Sequence, residues 1–249
     1  MSEDRVIIIT GGASGIGKET AYLLADEGAK VVIADFNDAL AKEVAEEINK
    51  KGGSAVAYKV DVAQKEQVEA LVNFAVEQFG TLTGIFNNAG IGLQAPLLEM
   101  DPPKYDKLIQ VDQYSVYYGI YYAGKKMVEL GVKNGVIVNT ASIYGFFSAV
   151  TSFNYNAAKA AVIAMSRSGA LELAPHNIRV VGVAPGFIDT PILDEVGEEG
   201  KKYLGTQHMR GKLIQPQAVA SVVRFLFSKE ADAINGSTIP VDDGFLGFK

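Results

Sequence analysis

Seven short runs of apolar, largely β-branched residues recur along this chain, at residues 6–10, 31–35, 55–60, 83–86, 135–140, 178–184 and 237–241. Most are continuous rather than alternating, as strands are when both faces of a parallel sheet are covered. Stretches of helical periodicity separate them, at residues 15–27, 38–51, 64–79, 102–130, 152–173 and 216–227. Strand followed by helix, repeated, predicts an α/β fold: a three-layer, doubly wound parallel sheet of Rossmann type. At 249 residues the chain is long enough for a large core and short enough for one domain, taken as 1–249. Residues 190–214 interrupt the rhythm with four glycines and are the segment best suited to a mobile substrate lid.

Composition narrows the function. Hydrophobic residues make up 48% and charged residues 21%, which excludes a disordered chain. The net charge of −6, without a cluster of lysine and arginine, gives no support for nucleic-acid binding. The absence of cysteine removes disulfides, thiol nucleophiles and zinc–thiolate sites. No apolar run approaches the roughly 20 residues of a membrane span, and the start, MSEDR, carries acids where a leader would be basic. A cytoplasmic, membrane-free protein is expected.

The first strand runs into Thr10-Gly11-Gly12-Ala13-Ser14-Gly15-Ile16-Gly17 and then into a helix. Glycines there permit a tight turn and close approach of a pyrophosphate, and the helix aims free amides at the anion. Asp35 ends the second strand, where an acid can accept hydrogen bonds from an adenosine ribose. It would repel a 2′-phosphate, and no cation stands beside it or at Ser14. The expected cofactor is therefore NAD rather than NADP. Asp61 and Asn87-Asn88-Ala89-Gly90 follow later strands at the same carboxyl edge of the sheet.

Tyr155 and Lys159 lie four apart, on one face of a helix, and Ser142 follows the fifth strand. An ammonium beside a phenol favours phenolate, so Lys159 is expected to lower the Tyr155 pKa from its reference near 10. Ser142 is then placed to hydrogen-bond a substrate oxygen. The two histidines, His176 and His208, lie far apart and read as surface residues, and no metal site is expected.

These motifs together resemble the short-chain dehydrogenase/reductase family, over nearly the whole chain. TGGASGIG at 10–17 resembles its cofactor loop, NNAG at 87–90 its strand-end motif, and Ser142, Tyr155 and Lys159 its catalytic serine and Tyr-x-x-x-Lys pair. Pro185, Gly186, Ile188 and Thr190 resemble the segment that cradles the nicotinamide carboxamide. The resemblance implies that Tyr155 exchanges the proton, that Lys159 binds the nicotinamide ribose, and that Asp61 contacts the adenine. It places Asn88 and Gly90 by the adenosine ribose, with Phe36 and Val62 among the contacts. It also implies a homo-oligomer, a dimer or tetramer, built on the tyrosine-rich helix around 104–130 and the one bearing Tyr155. Asp112 stands where the family usually has asparagine, at a local helix irregularity. An acid there preserves the backbone carbonyl but loses two amide donors and is able to draw charge toward Lys159.

The expected substrate walls are Gln94, Ile143, Phe147, Phe153, Phe187 and Leu193, with Met209 beside them. They are mostly apolar and contain no arginine, which favours a small uncharged secondary alcohol, diol, hydroxyketone or sugar-like carbonyl. The alternatives are an NADPH-dependent 3-oxoacyl-[acyl-carrier-protein] reductase and a non-catalytic NAD-binding sensor. The final VDDGFLGFK carries exposed-looking aromatics, able to cover either its own site or a partner's.

Overall fold

The computed structural model describes residues 5–248; residues 1–4, whose acids the leader argument used, and Lys249 lie outside the described residues. The strands are β1 (Val6–Thr10), β2 (Lys30–Asp35), β3 (Ser54–Lys59), β4 (Gly84–Asn87), β5 (Gly135–Thr140), β6 (Ile178–Pro185) and β7 (Thr238–Val241). They form one parallel sheet in the order β3-β2-β1-β4-β5-β6-β7. The helices are α1 (Gly15–Asp26), α2 (Asp38–Lys50), α3 (Lys65–Phe79), α4 (Pro102–Ile109), α5 (Ser115–Glu129), α6 (Phe153–Leu173), α7 (Gly197–Gly205), α8 (Pro216–Phe227) and α9 (Phe245–Phe248).

Strand periodicity divides the core in two. Ile7 and Ile9 of β1 face one side with Leu24 of α1, Ile48 of α2 and Val223 and Phe227 of α8. Ile8 faces the other, with Leu71 and Val72 of α3 and Met127 of α5. All of these side chains are essentially buried, each stabilising the fold by about 1.5–3 kcal/mol relative to exposure. The helices begin where the sequence supplies caps: Asn37 accepts from the Leu40 N–H at 3.2 Å, and Asp101 from the Lys104 N–H at 2.9 Å, with Pro102 opening α4. Among the described residues no helix is long and apolar enough to cross a membrane.

The stretch read as one helix over 102–130 is interrupted. Gln110–Tyr114 forms a π-helical turn between α4 and α5. The wider turn carries Asp112 inward, where it is 1% exposed. Residues 190–214 are not irregular throughout: Pro191–Val196 is a 3₁₀ turn, α7 follows, and Ile214 returns to bridge Ile188.

β1 sits between β2 and β4, so the winding reverses there. At such a switch point the connections leave in opposite directions and open a crevice beyond the carboxyl ends of the strands. Both the glycine loop and Asn87–Gly90 emerge at that point.

Candidate active site

The glycine loop is built for close approach. Gly11 and Gly15 have φ of 62° and 50°, the left-handed region that favours glycine. A Cβ on Gly17 would lie 2.1 Å from the Gly11 carbonyl oxygen. Asn88 braces the loop from β4, its side-chain amide donating to the Thr10 carbonyl at 3.0 Å and the Gly11 carbonyl at 3.3 Å. Thr10 returns the tie, its hydroxyl accepting from the Asn88 and Ala89 N–H groups. Helix α1 starts at exposed Ser14 with no side-chain cap and no acid in its first turn. Those residues fit a dinucleotide diphosphate: the first-turn amides are uncapped and no Cβ fills the approach. Thr190 closes over the loop from the other side, its methyl 3.0 Å from where a Gly15 Cβ would stand.

Asp35 is fixed at the end of β2, its two oxygens accepting from the Ala13 and Asn37 N–H groups at 3.0 and 2.9 Å. Beside it Phe36 is 71% exposed, an open apolar face next to the end of β2. Asp61 follows β3, accepting from the Ala63 N–H, and Val62 is buried in the core beneath it. Ile188 is likewise buried, so only its backbone faces the crevice side, while Pro185 ends β6 and the Gly186 N–H bonds Val241.

The three side chains read from the sequence as a proton-transfer set come together in the fold. Ser142 leaves β5, and Tyr155 and Lys159 share a face of α6, the Lys159 Nζ 5.4 Å from the Tyr155 ring. The buried ammonium donates to the Thr140 carbonyl at 3.0 Å and pairs with the Asp112 carboxylate at 3.1 Å. The other Asp112 oxygen accepts from the Ile91 N–H at 2.8 Å. Gly90 makes this possible, since a Cβ there would stand 3.0 Å from the carboxylate.

The electrostatics correct one expectation. Burial pushes the Tyr155 phenol above its ordinary value. Lys159 pulls it down, the Asp112 charge pushes it up, and a hydrogen bond from Ser142 pulls it down again, with the balance upward. Lys159 does act downward, but burial outweighs it and the nearby acid adds to the upward push. Burial likewise raises the Asp112 pKa, against Lys159 and the Ile91 N–H. Burial works against the Lys159 ammonium, yet Asp112 and Tyr155 outweigh it and hold its pKa above the usual lysine value.

Other expectations divide. Phe187 and Phe147 join Tyr144 and Phe245 in one aromatic cluster, but Ile143, 1% exposed, is a core residue with no open face. Phe153 stacks on Tyr105 and lines a separate apolar groove of 590 Å³ with Pro96, Leu97 and Val150. Two residues of helix turn it about 200° away from Tyr155, which is why it misses the cleft. Gln94 and Met209 are exposed, and Leu193 is half-buried in the 3₁₀ turn. His208 is not a surface residue; it is 3% exposed behind Phe187. Phe245 of the tail is also buried, 5.6 and 5.7 Å from the Phe147 and Phe187 rings, so the tail packs on aromatic residues of its own chain.

Several groups escaped the sequence reading. Tyr144 stands edge-on to Tyr155 and to Phe187, at 6.1 and 6.0 Å. Asn154 and Asn156 flank Tyr155 and hold the loops around it: Asn154 donates to the Leu93 carbonyl at 3.0 Å, Asn156 to Tyr144 and Phe147 at 2.6 and 2.7 Å. The paired asparagines in NYN were the available signal. Tyr144, Phe187 and Phe245 meet only through folding.

A family model described as enoyl-(acyl carrier protein) reductase matches residues 11–246. A cyclohexanol dehydrogenase of Acinetobacter is 40% identical, over 97% of this chain and 95% of its own. A 2,5-dichloro-2,5-cyclohexadiene-1,4-diol dehydrogenase of Sphingobium indicum is 39% identical, over 97% and 96%. Among solved structures, a levodione reductase superposes with a TM-score of 0.93 at 32% identity, covering 99% of both chains. Glycine loop, strand-end asparagines, and serine, tyrosine and lysine stand together in a chain that aligns with these proteins end to end. It belongs to the short-chain dehydrogenase/reductase family, oxidoreductases that work with a nicotinamide cofactor.

Proposed function

We propose that the chain is an NAD(H)-dependent dehydrogenase/reductase of small uncharged secondary alcohols and ketones, with six-membered ring alcohols and diols as the preferred class. One observation carries this reading: Ser142, Tyr155 and Lys159 meet beneath an uncharged wall of Tyr144, Phe147, Phe187 and Phe245. Flat aromatic faces suit a ring, and none of these side chains carries a positive charge to pair with a carboxylate. The relatives that act on cyclohexanol and on a cyclohexadiene diol support the same class.

A bound nicotinamide supplies or accepts the hydride at the carbinol carbon. In oxidation the Tyr155 phenolate takes the hydroxyl proton. The Ser142 Oγ accepts from the Tyr144 N–H at 3.2 Å, and its one hydroxyl proton, directed at Tyr155 in the structure, would turn to the substrate oxygen when substrate binds. Lys159 holds positive charge beside the phenolate and would bind the cofactor ribose. Gly11 to Gly17 would hold the diphosphate. Asp35 would hold the adenosine ribose and reject a 2′-phosphate. Asp61, Asn88 and Gly90 would stand by the adenosine.

We also propose that residues 190–214 close over bound substrate. A homo-oligomer would form through α5 and α6, and the cytoplasm, where the nicotinamide pool lies, is the working compartment. The family description favours a second reading, an NADPH-dependent reductase of carrier-bound acyl groups. Asp35 and the lack of a basic docking cluster weigh against it. A non-catalytic sensor would have no evident need for Ser142, Tyr155 and Lys159 together.

Replacing Tyr155 with Phe tests the proton-transfer role. Turnover should fall about 10²- to 10⁴-fold while titration of intrinsic fluorescence still reports cofactor binding. Undiminished turnover would sink the assignment.

A further inference from the structure

We propose that His208 is a positioning residue: its neutral imidazole fixes the Phe187 backbone, and through it the aromatic wall that sets affinity for ring-shaped substrates. The substrate half rests on the ring-alcohol reading above.

The His208 Nε2 accepts from the Phe187 N–H at 3.1 Å. Its Nδ1 lies 2.8 Å from the Lys212 carbonyl oxygen. A carbonyl only accepts, so Nδ1 carries the proton and Nε2 is bare. Both ring nitrogens are thus satisfied by one tautomer, which suits a side chain only 3% exposed. The approach requires Gly186, since a Cβ there would fall 2.6 Å from Nε2. The imidazole also packs on the Phe187 ring, centroids 5.5 Å apart.

Three segments distant in sequence meet at this ring. The Phe187 carbonyl accepts from the Ile214 N–H at 3.0 Å, so both its backbone groups are held by residues 208–214. That stretch is clasped by the C-terminal turn: the Met209 N–H donates to the Asp243 carbonyl at 3.1 Å, and the Arg210 N–H to the Asp243 carboxylate at 3.0 Å. The same turn delivers Phe245 onto Phe147 and Phe187. Losing the acceptor at Nε2 would leave the part-buried Phe187 N–H without its partner and loosen the wall.

Two measurements test this. The chain has two histidines, so a spectrum of ¹⁵N-histidine-labelled protein is simple, with a His176→Gln variant giving the assignment. His208 should show a protonated Nδ1 and a bare Nε2 at neutral pH. The opposite tautomer, or a cation, overturns the proposed contacts whatever the substrate. The second compares His208→Ala and His208→Gln on cyclohexanol and on propan-2-ol. In the alanine variant KM for cyclohexanol should rise about tenfold, the size of one lost hydrogen bond. Its kcat, and kcat/KM for propan-2-ol, should change less than about threefold. Glutamine, whose oxygen reaches as far as Nε2, should restore most of the KM, and it carries the comparison with wild type if the alanine variant fails to fold. Equal losses on both alcohols, or no loss on either, would overturn the positioning role. A wild-type protein active on propan-2-ol and inert toward cyclohexanol removes the ring reading and the substrate half of this proposal, while the tautomer still decides the contacts.

Discussion

A carboxylate at 112 sits 3.1 Å from the Lys159 ammonium, both groups almost wholly shielded from water. In such surroundings a charge acts over a long reach, and the Asp112 charge raises the Tyr155 pKa while Lys159 lowers it. The sign of an Asp112→Asn change follows. Alcohol oxidation needs phenolate, so its rate rises with pH through the Tyr155 pKa. Removing the acid removes an upward push, and the rising limb should move to lower pH. The asparagine oxygen can still accept from the Ile91 N–H, so the fold should hold. Lys159, deprived of its partner, loses part of what keeps its own pKa high. Superimposable pH–rate profiles for the two proteins would show that the acid is silent. At this scale the sequence was legible where chemistry imposes spacing: Tyr155 and Lys159 one helical turn apart, Asp35 ending a strand, glycines between strand and helix. It was not legible where a role comes from tertiary neighbours. His208 looks solvated because nothing near it in sequence foretells Phe187 across the cleft.

The elements follow the local pattern closely, and the exception at Gln110–Tyr114 is instructive. Apolar periodicity continues through 102–130, so no local signal breaks the helix; the π turn is explained by a carboxylate that finds Lys159 and the Ile91 N–H only once α6 and the β4 loop are in place. Two helical glycines separate the same causes. A Cβ on Gly119 of α5 would lie 1.9 Å from the Asn87 side-chain oxygen, itself buried and near Asn139, to which the Asn87 amide donates at 2.8 Å. Gly119→Ala should destabilise by about 1–3 kcal/mol through overpacking. A Cβ on Gly169 of α6 meets only ordinary contacts, at 3.5 Å from Ile120 and Val180. Gly169→Ala should therefore stabilise by up to about 1 kcal/mol, the helix-propensity gain. Urea unfolding of the two variants checks both; destabilisation of similar size at both sites would contradict the packing argument.

Across the whole molecule, the sheet was most legible at β1, β2, β4, β5 and β6, which are buried nearly throughout and cannot disguise their composition, while the edge strands β3 and β7 are mostly half-buried. Its outer surface was less so. Tyr114, Tyr117 and Tyr121 are 45%, 50% and 48% exposed, and their spacing sets them along one face of the π turn and α5. A row of half-open aromatic rings is the composition of an interface, and sedimentation should find a dimer or larger assembly; a monomer at micromolar concentration would contradict it. Cofactor, wall and proton-transfer groups would act together in one activity, and one measurement reaches all three. Initial rates would be followed by nicotinamide absorbance with NAD⁺ and NADP⁺, each offered cyclohexanol, ring diols, propan-2-ol and a hydroxy acid. The account predicts turnover of ring alcohols with NAD⁺, kcat/KM at least about tenfold above NADP⁺, and little with the hydroxy acid. Preference for NADP⁺, or for the charged substrate, would contradict it.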